Sequence, residues 1–393
     1  MIKVPDFFIL FLSEICVLKA LATLFLFFAA LQLTYAQKTF QLQNNTAYIA
    51  EVFFTNSEKR KQAIETLGLI VNSTTANYKN HFIRAELMLS YGGEPSANFV
   101  RDLQTFSNIE AGFLYGFYQL YYQYVKNDFW IKFGQQDINS DFAIPDNGLL
   151  FAHSSFGIDP VITLNLPAPT YPVSALSLSS QYRFSPVLSL KIGIFDGQFE
   201  PPKKNLLGIG ASLDRDDGLL YVAEGQINLN RDRFASKFGL IHHSGQFYNY
   251  HKQDTTRGLW SFYQINDFTF LRKNEKYIGA FTQLNFSTHE VSLLKYYIGL
   301  GFTGRGLLWS ASKNEVGLAA GFAKVNSGYA QIAEEFNATF EGVIEANFKH
   351  RATNWLDIQY YLQYLGKREI GPLEQNPMIV ALRLYFDIES IKP

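Results

Sequence analysis

The chain has 393 residues and carries 34 Lys and Arg against 35 Asp and Glu, a formal net charge of −1. That balance offers neither a basic field nor an acidic tail, so no nucleic-acid partner is expected. Hydrophobic residues make up 47% and charged residues 18%, yet mean hydropathy is close to zero; polar and apolar residues are interleaved along the chain, and no segment after residue 36 could span a bilayer as a helix.

The N-terminus reads as a leader. Lys19 precedes the apolar run 20–33, and Thr34, Tyr35 and Ala36 form a small-residue cleavage signature, so residues 1–36 are read as a signal peptide and Gln37 as the first mature residue. A second apolar stretch at 7–12 leaves open whether the leader is long or starts internally. The single cysteine, Cys16, falls inside the leader and lacks the small residue that a lipoprotein signal places before its Cys. The mature chain then has no thiol, which removes disulfides, zinc–thiolate sites and cysteine nucleophiles, and no metal or cofactor is expected.

From residue 46 to residue 386 one pattern recurs: roughly ten residues alternating apolar and polar, closed by turn residues, the signature of a transmembrane β-barrel. The alternation predicts strands over 48–55, 62–72, 81–92, 113–124, 129–137, 174–183, 187–196, 219–229, 234–244, 258–267, 277–285, 292–302, 315–325, 339–349, 355–364 and 377–387. Sixteen is an even number within the porin range. Over 82–91, Ile83, Ala85, Leu87, Leu89 and Tyr91 fall on a lipid face, while Phe82, Arg84, Glu86, Met88 and Ser90 fall on a face read as water-lined. Connections alternate in length: 125–128, 185–186 and 230–232 are short, as periplasmic turns are, and 93–112, 138–173 and 197–218 are long. Long loops therefore follow the odd-numbered strands, with 303–314 longer than this scheme prefers. The 36 Phe and 23 Tyr supply aromatic girdles. Loop 138–173 carries apolar clusters of its own, including Leu149, Leu150, Phe151 and Phe156. Such a loop either folds back into the lumen, the reading adopted, or caps the mouth from outside.

Several blocks carry a family resemblance: 99–111 (FVRDLQTFSNIEA), 133–137 (FGQQD), 140–156 (SDFAIPDNGLLFAHSSF), Tyr171-Pro172-Val173 and Ile194-Phe195-Asp196-Gly197. They continue through 297–307 (YIGLGFTGRGL), 315–323 (EVGLAAGFA), 341–347, Asn354-Trp355-Leu356 and 376–386 (NPMIVALRLYF). Their order and spacing resemble the carbohydrate-selective porins of Gram-negative outer membranes over nearly the whole mature chain. The resemblance implies a sixteen-stranded barrel whose narrowed lumen passes monosaccharides and related small sugars. The chain departs from the pattern twice. Phe386 is followed by 387–393 instead of ending the chain, where the barrel-insertion machinery reads a terminal aromatic, and 310–314 (SASKN) lacks the expected Arg and Asp beside Glu315.

A sugar needs donors and acceptors for its hydroxyls and an aromatic ring for its C–H face, so a selective constriction combines both. Projection by period two places Arg84, Glu86, Gln119, Tyr121, Trp130, Lys132, Arg183, Lys191, Glu224, Glu345, Gln363 and Arg383 inward, together with Gln123, Gln181, Gln226, Lys237, Glu341 and Gln359. From the loop, Asn147, Phe151 and Phe156 join the substrate-binding candidates. Mixed charge and many amides suit neutral polyols, whereas a ring of one sign would suit ions or phosphate. Trp130 reads equally as a sugar platform or a girdle residue; Trp355, at a short turn, reads as an interfacial anchor. Gly134 and Gly193 read as places where the loop packs closely or the barrel bends.

An enzyme is the rival from another class. Glu341 and Glu345 share a face, but residues four apart on a strand stand about 13 Å apart, beyond the distance for a glycosidase pair. His242 and His243 point to opposite faces, which prevents joint metal binding without a further ligand. No catalytic residue is assigned. A secreted soluble β-sandwich is a third reading, separated from a barrel by whether extraction requires detergent. The sequence thus points to a passive outer-membrane pore for small neutral sugars, seated in outer-membrane lipid, with a general diffusion porin as the alternative and with monomer or homo-oligomer open.

Overall fold

The structure, a computed structural model, describes residues 41–57, 60–198, 217–230, 233–249, 252–288, 291–307, 313–332, 338–369 and 376–388. The leader at 1–36 and residues 310–312 of the departing segment lie outside the described residues. Sixteen strands follow in order: β1 Gln41–Ser57, β2 Arg60–Tyr78, β3 His81–Gly92, β4 Leu114–Lys126, β5 Phe129–Gln136, β6 Ala175–Arg183, β7 Leu188–Asp196 and β8 Leu219–Leu229. The second half comprises β9 Phe234–Asn249, β10 Asp254–Lys273, β11 Lys276–Ser287, β12 Leu294–Arg305, β13 Asn314–Val325, β14 Ala338–Arg351, β15 Leu356–Glu369 and β16 Met378–Asp387. Each pairs with its neighbour in sequence, and β1 pairs antiparallel with β16 to close the barrel. Closure leaves no strand edge whose N–H and C=O groups would face lipid unpaired.

The period-two pattern decides which face meets lipid. Ile83, Phe133 and Leu318 are 54%, 57% and 56% exposed, and an apolar side chain exposed on the outside of a barrel is stabilised by acyl chains. Their neighbours Glu86, Lys132 and Ala319 are buried inside. On the outer face, Phe386 stacks between Tyr48 and Trp355, with centroids 5.5 and 6.2 Å apart, which fits Trp355 to an interfacial position. At the opposite rim, His242 stacks on Trp260 at 4.1 Å, whereas His243 points inward and contacts the Gly197 carbonyl at 3.0 Å.

The expectation that long loops follow the odd-numbered strands does not hold throughout, since the connections after β1 and β9 have only two and four residues; both described chain ends and the turns after the even-numbered strands share one end of the barrel. Lys79, Asn127, Asn230 and Asn274 open four of these turns with φ of 55°, 53°, 54° and 55°, the left-handed conformation that tight hairpins require and that Asn adopts at small cost. The loops after β3, β5 and β7 emerge from the other end. The β5–β6 connection contains three short 3₁₀ turns and helix α1, Pro160–Asn165; helix α2, Ser327–Ile332, follows β13. Asp159 caps α1 by accepting from the N–H of Val161 and of Ile162 at 3.0 and 3.3 Å, with Pro160 preset for the first turn. Asn165 fixes the far end by exchanging two 2.8 Å hydrogen bonds with the backbone of Leu294.

One sequence reading requires correction. The inner face is not uniformly water-lined: Phe53, Leu67, Leu69 and Met88 point inward and pack with Phe106, Phe151 and Phe156 from two loops in one apolar cluster. Met88, read as water-facing, is 4% exposed. Covering by loops, unlike alternation, is not encoded in the strand itself.

Candidate functional site

The segment between β5 and β6 runs around the inner wall and is tied to one strand after another. Gln119 of β4 donates to Ser140 at 3.0 Å, and Lys132 of β5 holds the Asp141 carboxylate at 2.9 Å. Lys191 of β7 donates to the Asp141 carbonyl at 2.5 Å, Glu224 of β8 accepts from the Ala143 N–H at 2.9 Å, and Lys237 of β9 donates to the Ile144 carbonyl. Asp267 of β10 accepts from the N–H groups of Asp146 and Asn147 at 3.0 and 2.9 Å. Tyr277 of β11 and Thr303 of β12 donate to the Asn147 side chain, and Asn347 and Gln359 of β14 and β15 donate to the Leu150 carbonyl. The chain then turns at Glu345, which accepts from the N–H groups of Ala152 and His153, both at 2.9 Å. A buried carboxylate accepting two backbone donors holds an irregular segment that otherwise has orphan donors.

The loop between β3 and β4 is pinned by the same device. Glu341 accepts from the N–H of Leu103 and of Gln104 at 3.0 and 2.9 Å. Gln363 donates to the Phe106 carbonyl at 2.9 Å. The Arg383 guanidinium bridges Glu51 at 2.5 Å, Ser107 at 3.0 Å and Asn108 at 2.8 Å. His153, sealed at the junction of the two loops, is held neutral, burial pushing its imidazole down to about 3. At Gly193 a Cβ would stand 2.8 Å from the Phe195 ring and 3.0 Å from Val222 of the wall, and 3.2 Å from the Phe142 ring of the inner segment, so that glycine serves the packing of both. At Gly134, where φ is 134°, a Cβ would strike the Leu120 carbonyl instead, so that glycine serves the strand's bend.

Open space remains toward the short-turn end. A cavity of about 230 Å³ lies between this inner segment, which forms a belt, and the wall of β5–β9, lined by Trp130, Ser140, Asp141, Ile144, Asp146, Gln181, Lys191, Glu224, Gln226 and Lys237. Through Gln181, Lys191 and Gln226 it adjoins a cavity of about 680 Å³ that Arg183 and Asn230 also border. Across the lumen a third cavity, about 530 Å³, touches the first at Asp146. Charges along the first are paired: Lys191–Glu224 at 3.1 Å, Lys237–Asp146 at 3.4 Å and, just behind, Lys132–Asp141 at 2.9 Å. The Lys132 ammonium stands 4.9 Å from the Trp130 ring and 5.0 Å from the Tyr121 ring, and Arg84 pairs with Glu86 at 2.7 Å.

The candidates therefore divide into two groups. Trp130, Arg183, Lys191 and Glu224 border open space, and Arg84, Glu86, Tyr121 and Lys132 form the adjoining charged and aromatic wall. Gln119, Glu345, Gln363 and Arg383 are buried and engaged in holding loops. Asn147 borders the third cavity, but its amide is bound to Asp267, Ala280, Tyr277 and Thr303. Phe151 and Phe156 are 2% and 0% exposed within the apolar cluster, so their position is structural packing and not the cavity lining. Glu341 and Glu345 clamp different loops. The sequence reading missed Asp141, Asp146 and Asp267, as well as the inward course of 93–113. Alternation along β10 would have placed Asp267 inside; loop residues have no period to read.

The family description "Carbohydrate-selective porin, OprB family" matches residues 73–387. A structure of Pseudomonas putida OprB, described as a high-pH form, superposes with a TM-score of 0.77 at 13% identity, over 88% of this chain and 94% of that one. The outer membrane channel DcaP of Acinetobacter baumannii superposes with a TM-score of 0.58 at 9% identity, over 90% of this chain and 98% of that one. At such identities the two structures speak for the fold. No match to the chain is found among curated proteins. With a closed sixteen-stranded barrel, an apolar outer face and a family match over most of its length, the chain belongs to the carbohydrate-selective porin, OprB family, and is a channel of the outer membrane.

Proposed function

We propose that the pore is a passive, sugar-selective one that admits monosaccharides and related small neutral sugars. The observation that carries this reading is the lining of the 230 Å³ cavity at the belt: one indole ring, the amides Gln181 and Gln226, the Ser140 hydroxyl, and lysines matched by carboxylates. An indole face packs against sugar C–H groups while amides and ion-pair oxygens exchange hydrogen bonds with hydroxyls. Local charge balance gives a neutral solute no electrostatic penalty relative to an ion. Transport follows the solute gradient and needs no cofactor.

The wider cavity beneath the belt favours the competing reading, general diffusion, because it offers little restriction at that end. Liposome swelling with purified porin separates the two. Glucose and xylose should enter faster than disaccharides and faster than amino acids or anions of similar size. Equal rates for size-matched solutes would leave general diffusion.

A further inference from the structure

The cavity across the lumen has a chemistry of its own. It is lined by Arg272, Lys276, Arg305 and Lys349, by the rings of Tyr277 and Tyr385, and by Thr303 and Asn274. Its acidic side chains are Asp146, Glu275 and Glu315. Two of the cations are engaged: Arg305 pairs with Glu315 at 2.7 Å and Lys349 with Asp357 at 3.2 Å. Of the acids, Asp146 is drawn toward Lys237 at 3.4 Å on the other side of the belt. Arg272 stands 5.5 Å over the Tyr277 ring, and among the described residues neither Arg272 nor Lys276 forms an ion pair. Both sit at the turn between β10 and β11, at the short-turn end. In the 230 Å³ cavity, by contrast, each lysine of the lining has a carboxylate partner.

We propose that this second cavity is a binding site for sugar carboxylates, uronates above all, at the periplasmic end of the lumen. A guanidinium presents two parallel donors that match a carboxylate, an ammonium adds a point charge, and a tyrosine ring accepts the C–H face of the same molecule. Hydroxyls find Thr303 and the Asn274 amide. Neither a bare carboxylate nor a neutral sugar satisfies both halves of this lining. The site shares only Asp146 with the neutral-sugar cavity, so the two can succeed or fail separately.

The test is block of ion current through single channels of the full-length porin in planar bilayers, titrated in turn with D-glucuronate, glucose and acetate. Glucuronate should reduce the current at a concentration about tenfold below that needed of glucose or acetate, and the double variant Arg272→Gln, Lys276→Gln should remove that advantage. Both side chains are exposed at a turn, so the variant should retain a heat-resistant barrel, checked by electrophoretic mobility. Arg183→Gln, which removes an exposed cation bordering the other basin, should leave glucuronate block unchanged. The proposal is overturned if acetate blocks as well as glucuronate, if the double variant is blocked as strongly as the parent, or if Arg183→Gln has the same effect as the double variant. Glucose-driven swelling by the double variant should be unaltered, which keeps this outcome distinct from failure of the neutral-sugar reading.

Discussion

Replacing Glu345 with alanine should release the inner segment from β14 while leaving the barrel intact. Four hydrogen bonds converge on this carboxylate, from the N–H groups of Ala152 and His153 at 2.9 Å each and from Asn347 and Gln363 at 2.8 and 3.0 Å. Asn347 and Gln363 also donate to the Leu150 and Phe106 carbonyls, so the two side chains do not lose every partner. The backbone donors of Ala152 and His153 would be left buried without an acceptor, at about 1–3 kcal/mol each, so docking should weaken by about 2–6 kcal/mol. The ladder between β13, β14 and β15 runs through the backbone of residue 345 and is untouched. Amide hydrogen exchange reads the effect directly: protection at residues 152 and 153 should fall by about thirtyfold or more, and single-channel conductance should rise. Glu345→Gln retains one acceptor oxygen and should lose about half as much. Unchanged exchange at both amides, with unchanged conductance, would refute the clamp.

Three further outcomes follow from the same geometry. Leu87→Arg should hinder insertion, because an arginine facing lipid costs about 2–4 kcal/mol near the bilayer midplane; Met88→Arg should assemble but loosen the loops, since it buries a charge in the apolar cluster. Refolding yield and conductance distinguish them, and a Met88→Arg pore identical to the parent would contradict the packing described. Trp130→Ala should reduce the preference for glucose over size-matched amino acids in swelling assays, while leaving the entry of small ions nearly unchanged; retained preference would remove the indole from the selective surface. Burial raises the loop carboxyls Glu110 to about 8 and Asp159 to about 6. Raised carboxyls favour docking when protonated, so this stabilisation is complete below about pH 4 and is lost as pH rises through 6 and then 8. Conductance should accordingly increase between about pH 6.5 and pH 8 as Glu110 ionises; below about pH 6.5 His153, which can be protonated only in the undocked loop, opposes the carboxyls; a flat profile between about pH 6.5 and pH 8 would refute the assignment.

The barrel was legible because lipid on one side imposes a period of two that no soluble neighbour disturbs. Strands β3 and β8 coincide with the sequence reading at both ends, and the others differ chiefly in length. β10 extends from Asp254 to Lys273 where alternation marked only 258–267. Its first residues, Asp254, Thr255, Thr256 and Arg257, are polar on both faces, so the strand starts before alternation does. Inward orientation was equally legible, as the pairing of Arg84, Glu86, Lys132 and Lys191 inside the wall shows. What an inward residue meets was not legible. Glu224 and Glu345 have the same identity, both point inward and both accept from loop backbone, yet Glu224 also pairs with Lys191 at the edge of a cavity while Glu345 is met by amides alone. That difference is made by loops whose conformation depends on the wall they touch. The inward apolar residues Phe53, Leu67 and Leu69 were the available sign of such cover, since a wetted lumen gives them nothing to bury against.

The belt joins Ser140, early in the chain, to wall residues as late as Gln359. Its anchors lie on opposite walls, from Lys132 and Glu224 on one side to Glu345 and Gln359 on the other. One irregular segment is thereby laced to strands that are remote from each other around the circumference, and it acts as an internal hoop. A deformation that flattens the cylinder must break hydrogen bonds on both sides together, so the bore keeps its cross-section where the ladder of strands alone would let it collapse.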